Sequence, residues 1–211
     1  RSRYRESGRK QQQRYQPDRW SLHDHNVKNG KGATQSNAFY VKATSSSGSL
    51  VTAGNIQEYL NALATKLALM KDESGFPMEY TGDVLLVPLN RTKLVSALKT
   101  AVGTERAAGS NNNDINLTFG HYTIVATEKW VSDKDEIIMI SSDANRALCG
   151  NLFLDRKKLD IRSWEDDHTR NLLMNGYARW GIGFNTYKHA VALTIYGSGD
   201  TADTDNCEEL T

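Results

Sequence analysis

Apolar residues recur every three or four positions between residues 56 and 70, which is the spacing of one face of a helix. Thr52 or Asn55 can serve as the N-cap, because either side chain can accept a hydrogen bond from a free backbone N–H group. The pattern predicts a helix over about residues 53–72. The residues that share its apolar face are Ile56, Tyr59, Leu60, Leu63, Leu67 and Met70.

A strand and a second helix are predicted directly after this helix. The run Val84–Val87 is apolar throughout, and Pro88 ends it because proline cannot donate to a strand ladder. Apolar residues at helical spacing then continue from about Arg91 to Val102. The strand-then-helix order indicates that helices pack on a sheet. Residues 103–114, "GTERAAGSNNND", have almost nothing to bury and predict a surface loop.

Shorter apolar segments predict the remaining strands. Residues 37–44, "NAFYVKAT", lie between Gly- and Ser-rich stretches, so this strand is expected in an extended loop that projects from the body. Residues 189–196, "HAVALTIY", alternate only weakly and predict a strand buried on both faces. Three strands are predicted between them, at 115–120, 121–130 and 135–142, and a further apolar piece at 147–155 leads toward 157–167.

The total charge is small, but it is unevenly distributed. The 211 residues include 26 Lys and Arg against 25 Asp and Glu, which gives a formal net charge of +1. This balance argues against a uniformly basic nucleic-acid binder. Residues 1–20 nevertheless hold seven bases and two acids, and residues 199–211 hold five acids and no base. The two ends are therefore oppositely charged arms.

The composition favours a globular protein that needs no disulfide framework. Hydrophobic residues make up 38% of the chain, which is enough for a core. The two cysteines, Cys149 and Cys207, form neither a spaced metal-binding pair nor a disulfide pattern, so a reducing compartment is expected. No apolar run approaches the roughly 20 residues of a membrane-spanning helix, and a soluble protein without a membrane partner is expected.

Four short segments carry residue types used in catalysis or ligand binding, and each has a simpler interpretation. Residues 23–25, "HDH", lack a third metal ligand and are more often solvated in such a polar loop. The acidic run at 165–167 indicates an exposed turn or helix start more simply than an acid–base pair. Residues 29–34, "NGKGAT", lack the spacing of a phosphate-binding loop, and "GIG" at 181–183 predicts a turn before a strand. No catalytic, cofactor-binding or metal-binding residue is proposed, and a protein without enzymatic activity or cofactor is expected.

Five segments of the second half follow one another in a characteristic order. They are "DVLLVPLNRTKLVSALK", "GHYTIVATEKW", "DEIIMISSDANRAL", "DRKKLDIRSWEDD" and "NGYARWGIGFNTYKHAVAL". This order resembles the major capsid proteins of tailed bacteriophages, the Hong Kong ninety-seven fold. The resemblance implies that residues 170–197 form a peripheral-domain helix followed by a long strand. It further implies that Trp180 packs the corner and that Arg179 can contact a neighbouring subunit, so both are proposed subunit-contact or packing residues.

The resemblance also implies an α+β fold with the domain layout of that family. Its parts would be a basic N-terminal arm at 1–20, an extended loop at 21–51, a helix and connector of the peripheral domain at 52–81, the axial domain at 82–165, the return to the peripheral domain at 166–198 and an acidic C-terminal tail at 199–211. The oppositely charged arms suggest the hypothesis that the two ends meet between subunits.

By the same resemblance, the protein would self-assemble through pentamers and hexamers into the icosahedral shell of a tailed phage or prophage. It would belong to the virion capsid and be assembled in the cytoplasm of the bacterial host. Its partners would be its own copies, packaged double-stranded DNA bound without sequence specificity, and scaffolding, portal or decoration proteins. Two alternatives stay open: an encapsulin-like compartment subunit that encloses cargo proteins, and a nucleic-acid-binding protein that uses the basic arm at 1–20.

Overall fold

The computed structural model describes residues 35–42, 50–72, 74–106, 115–197, 200, 202 and 207–210. The predicted basic arm, the "HDH" and "NGKGAT" segments and most of the 103–114 loop lie outside these residues. The described residues form three helices, which are α1 (Ala53–Ala68), α2 (Thr92–Gly103) and α3 (Ser142–Leu148). They also form eight strands, which are β1 (Ala38–Lys42), β2 (Val84–Pro88), β3 (Thr123–Thr127), β4 (Asp135–Ile140), β5 (Asn151–Glu165), β6 (Leu172–Phe184), β7 (Ala190–Tyr196) and β8 (Glu208–Glu209).

Six of these strands form one mixed sheet in the order β3-β2-β4-β7-β1-β8. β2 pairs with β3 in parallel, and β1 pairs in parallel with both β7 and β8. β4 runs antiparallel to β2 and β7. β5 and β6 form a separate two-stranded hairpin. The combination of helices with a mixed sheet places the chain in the α+β class, as expected.

The predicted helix at 53–72 is α1, and it supplies much of the core. Ile56, Leu60, Leu63 and Leu67 have no exposed surface and lie in one cluster with buried residues of α2 and the sheet. Thr52 is the N-cap, because its side chain accepts a hydrogen bond from the backbone N–H of Asn55. The apolar spacing of the sequence therefore identified both the helix and its buried face.

The second predicted strand and helix are also present, and the last predicted strand lies in the interior. β2 ends at Pro88, and α2 follows at Thr92–Gly103. β7 lies between β4 and β1, and five of its seven residues, including Val191 and Leu193, are among the buried core side chains. Buried residues lie on both faces of the strand, Ala190 and Tyr196 on one and Val191, Leu193 and Ile195 on the other, as the weak alternation predicted.

The strand predicted at 37–44 exists as β1, but its expected place in a projecting loop is wrong. β1 lies inside the six-stranded sheet, where it pairs with β7 over Ala38–Lys42. Ala38 and Phe39 are buried, and the Asn37 side chain donates a hydrogen bond to the Ala190 carbonyl at 3.2 Å. The extended-loop assignment of 21–51 therefore does not hold for these residues, because pairing with a distant strand buries them.

The strand predicted at 115–120 is absent, and the segment forms turns instead. Asn116 and Thr118 are buried and point at the carboxyl end of α2, where both side chains donate to the Ala101 carbonyl. Gly120 has a φ of 66°, a left-handed conformation that glycine adopts without strain. Side-chain hydrogen bonds to the backbone thus compete successfully with strand formation here.

The helix expected within 170–184 and the turn expected at 181–183 are both wrong, because Leu172–Phe184 is strand β6. Three glycines, at 176, 181 and 183, each cost about 1 kcal/mol in a helix interior. Apolar residues also recur at every second position of this segment, which is the period of a strand. The predicted domain boundary at 165–166 falls between two strands that pair along their length.

Candidate assembly interface

The β5–β6 hairpin is long and stands apart from the main sheet. It pairs from Asn151 opposite Phe184 to Glu165 opposite Leu172. At about 3.3 Å per residue, strands of this length reach roughly 45 Å. Within the described part of the chain, neither outer edge of the hairpin pairs with another strand. An isolated two-stranded hairpin is only marginally stable in water, so this element needs further contacts.

The tip of the hairpin is the acidic run that the sequence indicated as an exposed turn, and this interpretation is confirmed. Asp166 Oδ2 accepts a hydrogen bond from Thr169 Oγ1 at 2.6 Å, and its Oδ1 accepts one from the His168 N–H at 3.3 Å. These two hydrogen bonds lower the pKa of the Asp166 carboxyl. Arg170 adopts a left-handed φ of 52°. The carboxylate therefore shapes the turn.

The root of the hairpin is fixed by a buried histidine and three asparagines. His189 Nε2 lies 3.1 Å from Asn151 Oδ1, at the first residue of β5. The Asn151 N–H donates to Asn145 Oδ1 at 2.6 Å, and the Asn185 N–H donates to the Gly150 carbonyl at 2.8 Å. A Cβ atom on Gly150 would lie 2.4 Å from His189 Nδ1, so only glycine fits against the ring. These contacts set where the hairpin leaves the sheet.

His189 makes the folding stability sensitive to pH. Burial lowers its pKa below the ordinary value of 6.5, so the folded chain holds a neutral imidazole. Because the unfolded chain binds the proton more tightly, stability present above about pH 6.5 is lost as the pH falls through the folded-state pKa. We expect the free energy of unfolding in urea to decrease between about pH 7 and pH 5, and to decrease less in His189→Gln. Exposed His121 provides the control, and equal pH dependence in His189→Gln and His121→Gln would contradict this assignment.

One face of the hairpin carries most of its large apolar side chains, although the register also places Asp155, Ser163 and Glu165 on that face. Side chains alternate between the faces of a strand, so the even-numbered residues of β6 share one face. Pairing adds Phe153 opposite Ile182 and Ile161 opposite Gly176, and a Cβ on Gly176 would lie 3.6 Å from Leu159. We call this surface the apolar face; its large side chains, each between 58% and 71% exposed, are Phe153, Leu159, Ile161, Leu172, Met174, Trp180, Ile182 and Phe184.

The opposite face of the hairpin, the charged face, is polar in its middle. Lys157, Asp160, Arg162, Tyr177 and Arg179 lie there. Asp160 Oδ2 lies 3.6 Å from Lys157 Nζ and 3.2 Å from Arg162 Nη2, and Lys157 Nζ lies 4.7 Å from the centre of the Tyr177 ring. The middle of the hairpin is therefore amphipathic, whereas Leu154, Trp164 and Leu173 lie toward the ends of the charged face.

The two residues singled out in the sequence, Arg179 and Trp180, are neighbours on β6 and so lie on opposite faces. Trp180 is 63% exposed and stacks on Phe153, with ring centroids 6.0 Å apart. The expectation that Trp180 is buried at a corner of the fold is therefore wrong for the single chain. Arg179 is exposed on the charged face. A contact of either residue with another subunit stays a proposal.

The described residues offer little to a catalytic or metal site. No group of three or more His, Cys, Asp or Glu side chains that could hold a metal ion occurs among them. An open groove along α2 contains Lys99 as its one titratable side chain among the described lining residues. None of the helices in the described part is long and apolar enough to cross a membrane.

No family model matches the chain, and no curated protein is similar to it in sequence. Among solved structures, the chain is similar to the capsid of Myoviridae phage XM1, with a TM-score of 0.45 and 14% identity over 74% of this chain and 51% of that chain. It is also similar to the capsid of cyanophage P-SCSP1u, with a TM-score of 0.44 and 13% identity over 80% of this chain and 55% of that chain. The chain thus spans about half the length of each capsid chain.

Proposed function

We propose that this chain is a structural subunit of a phage-type capsid, a major capsid protein that self-assembles into the icosahedral shell around the double-stranded DNA of a tailed phage or prophage. The observation that carries the proposal is the apolar face of the β5–β6 hairpin, which is exposed in the single chain. Large exposed apolar surfaces are typical of protein–protein contact sites. The resemblance of the sequence motifs to tailed-phage capsid proteins supports the same function.

The energy available from covering this face is of the size needed to offset the cost of association. Full burial of one large apolar side chain contributes about 1.5–3 kcal/mol. Because these eight side chains are 58–71% exposed, covering what remains offers about 8–16 kcal/mol before the cost of association, estimated at about 4–15 kcal/mol, is subtracted. A neighbouring copy that covers the face would also supply the extra packing that a two-stranded hairpin needs.

The proposal changes the predicted domain layout in two respects. Strands that pair along their length belong to one unit, so β1, β2, β4 and β7, which the sequence divided among the extended loop, the axial domain and the peripheral return, form one unit with α1 and α2. The hairpin at 151–184 forms a second unit, and the boundary predicted at 165 moves to about 150. In the virion, the partners would be other copies in pentamers and hexamers, packaged DNA, and scaffolding, portal or decoration proteins.

Purified protein is expected as closed shells or as pentamers and hexamers, with a mass far above the 23.6 kDa of one chain. Oligomers are expected because exposure of the apolar face in a monomer is unfavourable at working concentrations. Light scattering gives the mass, and electron micrographs show whether the particles are closed. A monodisperse monomer over the accessible concentration range would count against the proposal.

The contents of the particles separate the proposal from its nearest alternative. A capsid isolated from a host should contain double-stranded DNA that survives nuclease treatment of the intact particle. Shells with protein cargo and no DNA would instead identify an encapsulin-like compartment. Salt-sensitive DNA binding by an unassembled monomer would favour the nucleic-acid-binding alternative.

A further inference from the structure

Cations crowd together in the middle of the charged face. Lys157 of β5 lies directly opposite Arg179 of β6, and Arg162 lies further along β5 on the same face. The two register shifts of the hairpin lie between Asp155 and Lys157 and between Lys157 and Asp160, so they bracket the same residue. β-Bulges commonly redirect a side chain next to a functional site.

The positive charge at this position is only partly compensated. The single carboxylate of Asp160 forms ion pairs with both Lys157 and Arg162. Arg179 is exposed and makes no ion pair or side-chain hydrogen bond within the described residues. Like charges directly opposite each other destabilise an antiparallel strand pair, and an anion between them would relieve the repulsion. Lys157, Arg162 and Arg179, which we call the cation cluster, are therefore placed to receive an anionic group.

The C-terminal segment of the same chain carries the matching charge. Residues 199–211 contain five acids and no base. Two of these acids, Glu208 and Glu209, form β8 at the edge of the six-stranded sheet. Both are exposed, and neither makes an ion pair within the described residues. Glu208 and Glu209 therefore present exposed carboxylates from an edge strand, one toward each face of the sheet, because successive side chains of a strand alternate.

We propose that the cation cluster of one copy binds the acidic segment 199–211 of a second copy, with Glu208 and Glu209 as its anchored carboxylates. This inference rests on the proposed function in one respect, that the partner is another copy of the chain. The near-equal numbers of acids and bases in the chain favour such a partner over a nucleic acid, whose phosphates attract proteins with a net positive charge. Exposed ion pairs are individually weak and screened by salt, so this contact orients copies while the apolar face supplies most of the binding.

Charge reversal on each side tests the contact. Lys157→Glu combined with Arg179→Glu should raise the concentration needed for association at low salt by about tenfold, and Glu208→Lys combined with Glu209→Lys should do the same. The variant with all four changes should return to within about threefold of wild type, because the pairs are restored with reversed sign. Lys93→Glu combined with Lys129→Glu, which places the same charge change outside the hairpin, is the matched control.

Two further measurements keep this test separate from the test of the shell itself. A labelled peptide of residues 199–211 should bind the wild-type chain more tightly than the Lys157→Glu, Arg179→Glu variant, whether or not shells form. Thermal melting should show that every variant folds. The inference is wrong if wild type associates, neither pair of charge reversals changes that association, and the variant with all four changes shows no rescue. The capsid proposal would then still stand.

A different partner would give a different pattern. If the Lys157→Glu, Arg179→Glu variant lost binding to duplex DNA while the Glu208→Lys, Glu209→Lys variant associated normally, the cluster would bind nucleic acid and the inference would be wrong. If deletion of residues 1–20 abolished binding of the peptide while the hairpin reversal left it unchanged, the acidic segment would pair with the basic arm, which would also overturn it.

Discussion

Trp180→Ala is expected to leave the unassembled chain almost as stable as wild type and to weaken its assembly strongly. The indole is 63% exposed in the single chain. Its stacking on Phe153 is the described contact that the variant loses, and one such aromatic pair contributes about 0.5–1.5 kcal/mol. In an interface, a buried tryptophan commonly contributes about 2 kcal/mol or more, which corresponds to roughly a 30-fold change in the association constant.

Trp164→Ala on the same hairpin is the matched control for this prediction. Trp164 is 49% exposed and lies opposite Leu173 near the tip, on the charged face. Its replacement should change the melting temperature of the unassembled chain about as little as Trp180→Ala does, with assembly close to wild type. Both variants replace a tryptophan of the same hairpin by alanine, and they differ in the face of the hairpin from which the side chain is removed.

Two results would contradict the role of the apolar face. Assembly of Trp180→Ala at wild-type concentration, measured by light scattering, would mean that this face is not the contact between copies. A loss of about 3–5 kcal/mol in the unfolding free energy of the unassembled chain would mean that Trp180 is buried in the fold, as the sequence first suggested. Ile182→Asp, two residues away on the same face, should reproduce the assembly defect more severely.

The elements predicted well from the sequence are those whose pattern depends on one segment alone. α1 shows the helical spacing of Ile56, Leu60, Leu63 and Leu67 over about three turns, and that face is the buried one. Pro88 ends β2 for a local reason, because it lacks an N–H group. Local signals of this kind do not depend on which other segment the element meets.

β1 was misplaced because its position depends on a partner far away in the chain. Gly- and Ser-rich flanks suggested a loop, whereas Ala38–Lys42 pairs in parallel with residues 192–196. Parallel neighbours require long connections, and the sequence of one strand does not specify which distant strand it joins. The burial of Phe39 is thus a tertiary property.

The hairpin shows a different kind of ambiguity. Leu172, Leu173 and Met174 are strong helix formers, so the start of the segment favours a helix when taken alone. The two-residue period becomes visible only when the pattern is followed to Phe184, where alternate positions are apolar or small throughout. That signal was present in the sequence and would have identified the apolar face. The register shifts beside Lys157 depend on both strands together, so one strand's pattern does not reveal them.

A second feature hidden from pattern analysis is the polar cluster at the carboxyl end of α2. The Ala101 carbonyl accepts hydrogen bonds from Asn116 Nδ2 at 2.6 Å, Thr118 Oγ1 at 3.2 Å and Gln57 Nε2 at 3.2 Å. Asn116 Nδ2 also donates to the Thr104 carbonyl at 2.7 Å. The last carbonyls of a helix have no hydrogen-bond donor within the helix, so these side chains supply the missing donors. The cluster joins α1, α2 and the 115–120 turn.

Asn116→Ala is expected to destabilise the chain by about 2–4 kcal/mol, because it removes several buried hydrogen bonds and leaves the Thr104 carbonyl without this donor. Asn116 is 6% exposed, so water cannot readily replace the lost amide. The control is Asn90→Ala, since Asn90 donates to the Ser132 carbonyl at 2.8 Å from an exposed position and should cost less than about 1 kcal/mol. Urea unfolding of the two unassembled variants measures both values at the same pH. An equal loss of unfolding free energy in the two variants would mean that the cluster at Ala101 is open to water and that other contacts hold the 115–120 turn. A loss below about 1 kcal/mol for Asn116→Ala would lead to the same conclusion.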